Sequence, residues 1–193
     1  TSRSESYYRI PIAGDELVAA SQGFFQNNLP IAEKMVHQVG AWLKALKAMH
    51  VADLYSGVGL FGWLSTPPKA AITFIEEHPA SVQALRMNVA ERPERRTRVY
   101  EGRVEKLLGR ALAEAEPAID ALVVDPPRNG MTRDLCQSIA TTAGLKGIVY
   151  ISCDPATLAR DLKILTAGGK FKIQTATPFD MFPRTKHIET LVL

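Results

Sequence analysis

A chain of 193 residues with 46% hydrophobic and 22% charged side chains is long enough to bury a core, and its usage is that of a globular domain rather than a disordered chain or a fibre. No run approaches the ~18 apolar residues of a membrane-spanning helix, and the start, TSRSESYYRI, has no apolar signal region; a cytoplasmic protein with no membrane partner is expected. With 23 basic against 20 acidic residues the net charge of +3 allows a nucleic-acid partner without requiring one, while two cysteines and four scattered histidines give no disulfide framework and no metal-binding spacing.

The first residue is Thr rather than Met, which suggests a piece of a longer chain. YYRIPI and LVAAS read as two short strands around the turn Ala13-Gly14-Asp15, so residues 1–22 are expected to be a β-hairpin remnant of a preceding or inserted domain, with the main domain over 23–193. Apolar residues at helical spacing (Ile31, Met35, Val36, Val39, Leu43, Leu46) predict a helix over 29–48, with Pro30 tolerated near its start. Short apolar runs then alternate with amphipathic stretches. Strands are predicted at 51–55, 71–75, 97–100, 119–124, 146–151, 170–177 and 186–193. Helices are predicted at 59–64, 79–90, 104–115, 132–142 and 155–167.

Alternating strands and helices imply a mainly parallel sheet covered on both faces. The last two strands follow each other without a helix and should be antiparallel neighbours at one edge. This is the pattern of a class I methyltransferase: an α/β Rossmann-like fold whose seven-stranded, mainly parallel sheet carries an antiparallel edge strand. Ligands in such sheets sit beyond the carboxyl ends of the strands, so the informative residues should follow the strands.

After the first of these strands the chain reads DLYSGVGLFG, in which Gly57, Gly59 and Gly62 spell the dinucleotide fingerprint, with Glu76 ending the next strand where an acid can hold ribose hydroxyls. A nicotinamide dinucleotide is one reading. Asp53 favours another, because a pyrophosphate wants backbone N–H groups and no carboxylate nearby. S-adenosylmethionine carries a sulfonium and an ammonium, which suit an acid before the glycine turn.

After 119–124 comes Asp125-Pro126-Pro127-Arg128-Asn129-Gly130. The prolines stiffen this loop past the strand end. Methyltransferases that act on amino groups often carry an aromatic in its fourth position; here it is Arg128, better suited to a carbonyl or phosphate. After 146–151, Cys153 precedes Asp154, a predicted helix cap, and Pro155. A helix N-terminus favours a thiolate and the Asp154 carboxylate opposes it. Cys136 reads as a small buried hydrophobe. Near the end, His187 and Glu189 share a face of the predicted strand, and a carboxylate heading for a buried strand suggests a desolvated general base. The run of Arg92, Arg95, Arg96 and Arg98 reads as a solvated face.

Five segments together resemble the RNA uracil-C5 methyltransferases, which make 5-methyluridine in tRNA or ribosomal RNA: FFQNN (24–28), DLYSGVG (53–59), DPPRNG (125–130), YISCDPATLARDL (150–162) and DMFPRTKHIE (180–189). The resemblance implies that 23–193 is the catalytic domain of such an enzyme. It implies Cys153 as nucleophile, Glu189 as base, Gln26, Tyr55, Gly57, Gly59, Glu76 and Asp125 as holders of S-adenosylmethionine, and Arg128 beside the uracil. It also implies an RNA partner, rRNA or tRNA; the residues themselves suggest no metal and nothing more than a monomer. The sequence departs from the family at Leu60 and Arg103, where Asn or Asp is frequent, and at Asp154, where Asn is commoner. The cysteines that bind an iron–sulfur cluster in some members have no counterpart. The family's N-terminal RNA-binding domain and central insertion are expected to be mostly absent. Alternatives from the residues alone are an amino-group methyltransferase of nucleic acid, a catalytically silent RNA-binding module, and an NAD-dependent reductase.

Overall fold

The computed structural model describes residues 6–181 and 188–193. Two strands, β1 (Tyr7–Ile12) and β2 (Asp15–Ala20), pair as an antiparallel hairpin. Helix α1 (Leu29–Ala45) follows, then β3 (His50–Leu54), α2 (Leu60–Ser65), β4 (Ala71–Glu76), α3 (Pro79–Ala90), β5 (Thr97–Glu101) and α4 (Val104–Glu114). The second half runs β6 (Ala121–Val124), α5 (Arg133–Thr141), β7 (Gly147–Ser152), α6 (Pro155–Thr166), β8 (Ala176–Phe179) and β9 (Glu189–Val192). Strands β3 to β9 form one sheet in the order β5-β4-β3-β6-β7-β9-β8.

The first five of these strands are parallel. Their connections are long enough to hold a helix, as parallel pairing demands. Successive residues point to opposite faces, and this alternation divides the core. Val51, Phe74, Val123 and Val149 pack with α1, α2 and α3, while Leu54, Ile75, Leu122 and Tyr150 pack with α4, α5 and α6. Strand β3 pairs with β4 on one side and β6 on the other. Chain direction of travel across the sheet therefore reverses at β3, and a crevice opens there at the carboxyl edge.

The predicted pairing of the last two strands is present, with one rearrangement. Strand β9 is antiparallel to both β7 and β8 and lies between them, one place in from the edge. The edge belongs to β8, which carries Pro178 where a missing N–H is tolerated. The strand predicted over 170–177 begins only at Ala176. Gln174 and Thr175 still hydrogen-bond to Leu193, just past β9, but residues 170–173 pair with no described strand. Residues 186 and 187 of the last predicted strand, including His187, lie outside the described residues.

The hairpin is packed on the main body through β2 and α3. Asn88, fully buried in α3, accepts from Val18 N (2.8 Å) and donates to Val18 O (3.0 Å) and Val58 O (3.0 Å). Its amide replaces the missing neighbour of β2. Among the described residues, no helix is long and apolar enough to cross a membrane, and no group of three or more His, Cys, Asp or Glu side chains could hold a metal ion.

Candidate active site

The first four segments that carry the resemblance, and Glu189 of the fifth, reach the carboxyl edge of the sheet; residues 182–187 of the fifth lie outside the described residues. The loop after β3 is shaped by three residues in the left-handed backbone region: Tyr55 (φ +59°), Gly57 (φ +54°) and Gly59 (φ +89°). A side chain on Gly59 would lie 2.8 Å from Leu85 and Trp63, so only glycine fits. Gly57 faces open space instead, which leaves its backbone approachable. Gly62 is as constrained as Gly59. A Cβ there would sit 2.3 Å from Phe74 and 2.8 Å from Asp53 Oδ2.

The N–H groups of this loop are already engaged by carboxylates. Gly57 N donates to Glu76 Oε2 (2.7 Å), whose other oxygen accepts from Glu77 N (3.0 Å) and His78 N (2.7 Å). Gly62 N donates to Asp53 Oδ2 (2.8 Å). A pyrophosphate would have to compete with two built-in anions, which argues against the dinucleotide reading despite the three glycines.

The same cleft is rich in acceptors. It is lined by Phe24, Gln26, Asp53, Tyr55, Ser56, Leu60 and Asp125 among others. The buried atoms Gln26 Oε1, Asp53 Oδ1 and Ser56 Oγ have no hydrogen-bond partner among the described residues. Burial pushes the Asp53 carboxyl up to about 8, with the Gly62 N–H pulling it back and Glu76 adding to the rise. Burial, then Glu189 and Asp53, push Asp125 well above its usual range. Orphaned acceptors and carboxyls that repel one another call for a cationic donor. An ammonium and a sulfonium match this set of groups; a pyrophosphate does not.

Leu60 is buried against the cleft, and Arg103 caps α4 beside Glu105 (3.4 Å). Glu105 also accepts from the Tyr55 hydroxyl (3.0 Å). Sequence reasoning passed over Glu105, whose only signal was an acid in the first turn of α4.

The second half of the site lies one strand further on. The register Tyr150↔Val192, Ile151↔Leu191, Ser152↔Thr190 sets Cys153 opposite Glu189 at the end of the β7–β9 ladder. Asp154 caps α6 as predicted, accepting from Ala156 N (3.0 Å) and Thr157 N (2.9 Å). Those bonds hold its carboxyl below the usual range. The anions that oppose a Cys153 thiolate are therefore Glu189 and Asp125, not the expected Asp154. Burial first, then these two, push the Cys153 thiol up, and the Arg128 guanidinium acts against them. Burial likewise raises the Glu189 carboxyl, again opposed by Arg128. Glu189 is 5% exposed, so the sequence expectation of a desolvated carboxyl holds.

Cys136 is fully buried in α5 and its thiol is pushed up to about 12, which leaves it inert. The arginine run departs from a simple solvated face. Arg92 and Arg95 lie over the Trp63 ring (5.2 and 6.0 Å), and Arg92 pairs with Asp15 (2.7 Å). Charge alone could not reveal that Trp63 waits beneath them.

Comparison with known proteins fits this geometry. The family model for tRNA (Uracil-5-)-methyltransferase matches residues 9–193. The 23S rRNA (uracil(1939)-C(5))-methyltransferase RlmD of Chromohalobacter salexigens is 37% identical over 171 residues, which are 88% of this chain and 34% of that protein. The 23S rRNA (uracil(747)-C(5))-methyltransferase RlmC of Shigella boydii is 34% identical over 173 residues, 89% of this chain and 44% of that one. The Pyrococcus abyssi tRNA (uracil-54, C5)-methyltransferase, solved in complex with S-adenosyl-L-homocysteine, superposes with a TM-score of 0.78 at 26% identity, covering 96% of this chain and 43% of that one. The chain thus spans less than half the length of these relatives. On the extent of the family match and the identity to its relatives, the chain belongs to the tRNA (uracil-5-)-methyltransferase family.

Proposed function

We propose that this chain is the catalytic part of an S-adenosylmethionine-dependent enzyme that methylates carbon 5 of a uridine in structured RNA, ribosomal or transfer, through a covalent bond between Cys153 and carbon 6. The observation that carries the reading is the meeting of Cys153, Glu189 and Arg128 beside an acceptor-rich cleft. The relatives named above act on uracil in 23S rRNA and tRNA.

Gln26, Tyr55, Gly57, Gly59, Glu76 and Asp125 would hold the cofactor. Burial raises the Asp53 and Asp125 carboxyls in the empty cleft, and a bound sulfonium and ammonium would draw them back to the carboxylate form that pairs with a cation. Bound S-adenosylmethionine supplies an electrophilic methyl group. Carbon 5 of uracil is a weak nucleophile. The Cys153 thiolate adds to carbon 6 and pushes electrons onto the ring as an enolate, which makes carbon 5 nucleophilic. Arg128 steadies the thiolate and the enolate oxygen by charge. Once carbon 5 carries the methyl group, the Glu189 carboxylate removes its proton. A carboxyl raised by burial is a stronger base than a solvated one, which suits that task. The electron pair re-forms the C5–C6 double bond and expels Cys153 as thiolate. A uridine in a stem must be flipped out to reach this edge, and one in a loop is reached at lower cost.

Arg128 in the fourth position of DPPR disfavours an amino-group acceptor, since a guanidinium and an amine are both donors. The test is intact-protein mass after incubation with S-adenosylmethionine and 5-fluorouridine-containing RNA. Fluorine cannot leave as a proton, so a methylated adduct should persist on the wild-type chain and be lost in Cys153→Ala, with S-adenosylhomocysteine binding retained. An adduct of unchanged yield in Cys153→Ala would overturn the nucleophile assignment.

A further inference from the structure

The loop that carries Arg128 and the helix that follows Cys153 are tied together by side chains one turn apart on α6. Thr157 Oγ1 donates to Arg128 O (3.1 Å). Arg160 Nη2 donates to Asn129 O (2.8 Å) and Met131 O (3.0 Å). Asp161, fully buried, accepts from Met131 N (2.8 Å) and from the Tyr150 hydroxyl (2.6 Å), and its other oxygen accepts from Arg160 Nε (2.9 Å). Gly130 lies beneath the same groups at φ +70°; a Cβ there would meet Asp161 Oδ2 at 2.6 Å and Arg160 at 2.7 Å. Every carbonyl from Arg128 to Met131 but that of Gly130 is thus gripped by one face of α6.

We propose that Asp161, acting with Arg160 and Thr157, is a positioning residue that sets the Arg128 guanidinium against the Cys153 thiol. The proposal rests on reading Cys153 as the nucleophile. Its physical basis is the rigidity of the grip. Arg128 is exposed, and its backbone lies in a loop whose prolines offer no N–H. Gly130 N also closes a local turn on Pro127 O and Met131 is buried in the core, but the carbonyls of Arg128 and Asn129 are held by α6. Asp161 is a buried carboxylate whose partners come from three places: the loop, β7 through Tyr150, and its own helix. It therefore ties the loop after β6 to α6 and β7, and the placing of that loop decides whether Arg128 reaches Cys153. A group held this way costs no ordering when substrate arrives.

The thiol itself provides a readout that needs no RNA. Among the described residues, three charged groups act on Cys153: Glu189 from β9, and Asp125 and Arg128 from the loop after β6. Of these Arg128 alone favours the thiolate. Iodoacetamide alkylation of Cys153 in the 193-residue chain, followed by peptide mass across pH, should be slower at pH 8 by about three- to tenfold in Arg128→Ala. Asp161→Ala should lose a similar factor, and the double variant should lose no more than either alone, because both act through one interaction. Asp161→Asn, which keeps an acceptor for Met131 and Tyr150, should recover part of the rate. A wild-type rate in Asp161→Ala, losses that multiply in the double variant, or an unaffected Arg128→Ala would overturn the proposal. If Asp161→Ala does not fold, Arg160→Ala and Thr157→Val enter the same cycle with Arg128→Ala. Failure to trap fluorinated RNA with the cycle still coupled would overturn the uracil reading and leave the positioning role standing. A trapped adduct with an uncoupled cycle would do the reverse.

Discussion

Replacing Asn88 by Leu tests whether the N-terminal hairpin is an integral part of the catalytic body or a passenger from a neighbouring domain. Leucine matches the branched outline of asparagine, with the same number of side-chain heavy atoms, but is bulkier and offers no polar atom. The substitution leaves Val18 N, Val18 O and Val58 O without their partner. A buried polar group without a partner costs about 1–3 kcal/mol. Three such groups, less the gain from burying an apolar side chain, cost the folded chain about 3–5 kcal/mol. For a domain of this size about 1 kcal/mol moves the midpoint of thermal unfolding by about 2–4 °C, so a fall of about 10 °C is expected. Val58 lies in the glycine loop, so S-adenosylhomocysteine affinity, measured by calorimetry at a temperature where the variant is folded, should fall as well. Urea unfolding gives the stability change directly. A change below about 1 kcal/mol would refute the reasoning and mark the hairpin as a separate unit, in keeping with a remnant of another domain.

Glu189→Gln should methylate but release slowly, so denaturing gels should show RNA-linked protein; free turnover at the wild-type rate would argue against Glu189 as the base. Gly62→Ala forces a methyl group against Phe74 and Asp53 (2.3 and 2.8 Å) and should cost about 1–3 kcal/mol of stability in a urea melt, with the cofactor loop distorted. Asp53 gives a pH signature. Held at about 8 when folded against 3.8 when free, it keeps its proton in the folded chain and loses it in the unfolded one. Its contribution to stability is complete below about 4 and is lost as the pH rises towards 8. Asp53→Asn should flatten that decline in melts taken between these limits, and an equal slope in both proteins would show that Asp53 is not its source. Cofactor affinity of the wild type should rise as the pH passes through about 8, where Asp53 of the folded chain becomes the carboxylate that attracts a cation.

Much of the fold was legible because its signals are local. Strand and helix order followed from apolar periodicity, the start of α1 from Pro30, and the cap of α6 from Asp154 and Pro155, whereas the Asn28 cap of α1 was not read from the sequence. The antiparallel pairing of β8 and β9 followed from a connection with no helix between them. The place of β9 inside the edge strand was not legible, because nothing in four residues of β9 states which neighbours it will find. The late start of β8 had a similar cause: residues 170–173 have strand-like composition, but no described strand offers them its N–H and C=O groups.

The site divides along the same line. Sequence alone supplied the reactive types, Cys153, Glu189, Arg128 and the acids around the glycine loop, because a thiol, a carboxyl and a guanidinium carry their chemistry wherever they sit. It also supplied the left-handed turns at Gly57 and Gly59, since spacing and the absence of a Cβ are written in the chain. Only the tertiary structure decided what acts on what. Asp53 and Glu76 take up the N–H groups of Gly62 and Gly57, Glu189 and Asp125 rather than Asp154 oppose the thiolate, Arg92 and Arg95 cover Trp63, and Asp161 of α6 holds the loop after β6 at Met131, thirty residues away in sequence. Charge, burial and hydrogen-bond supply depend on distances in space, and those are set by the whole sheet rather than by any one segment of it.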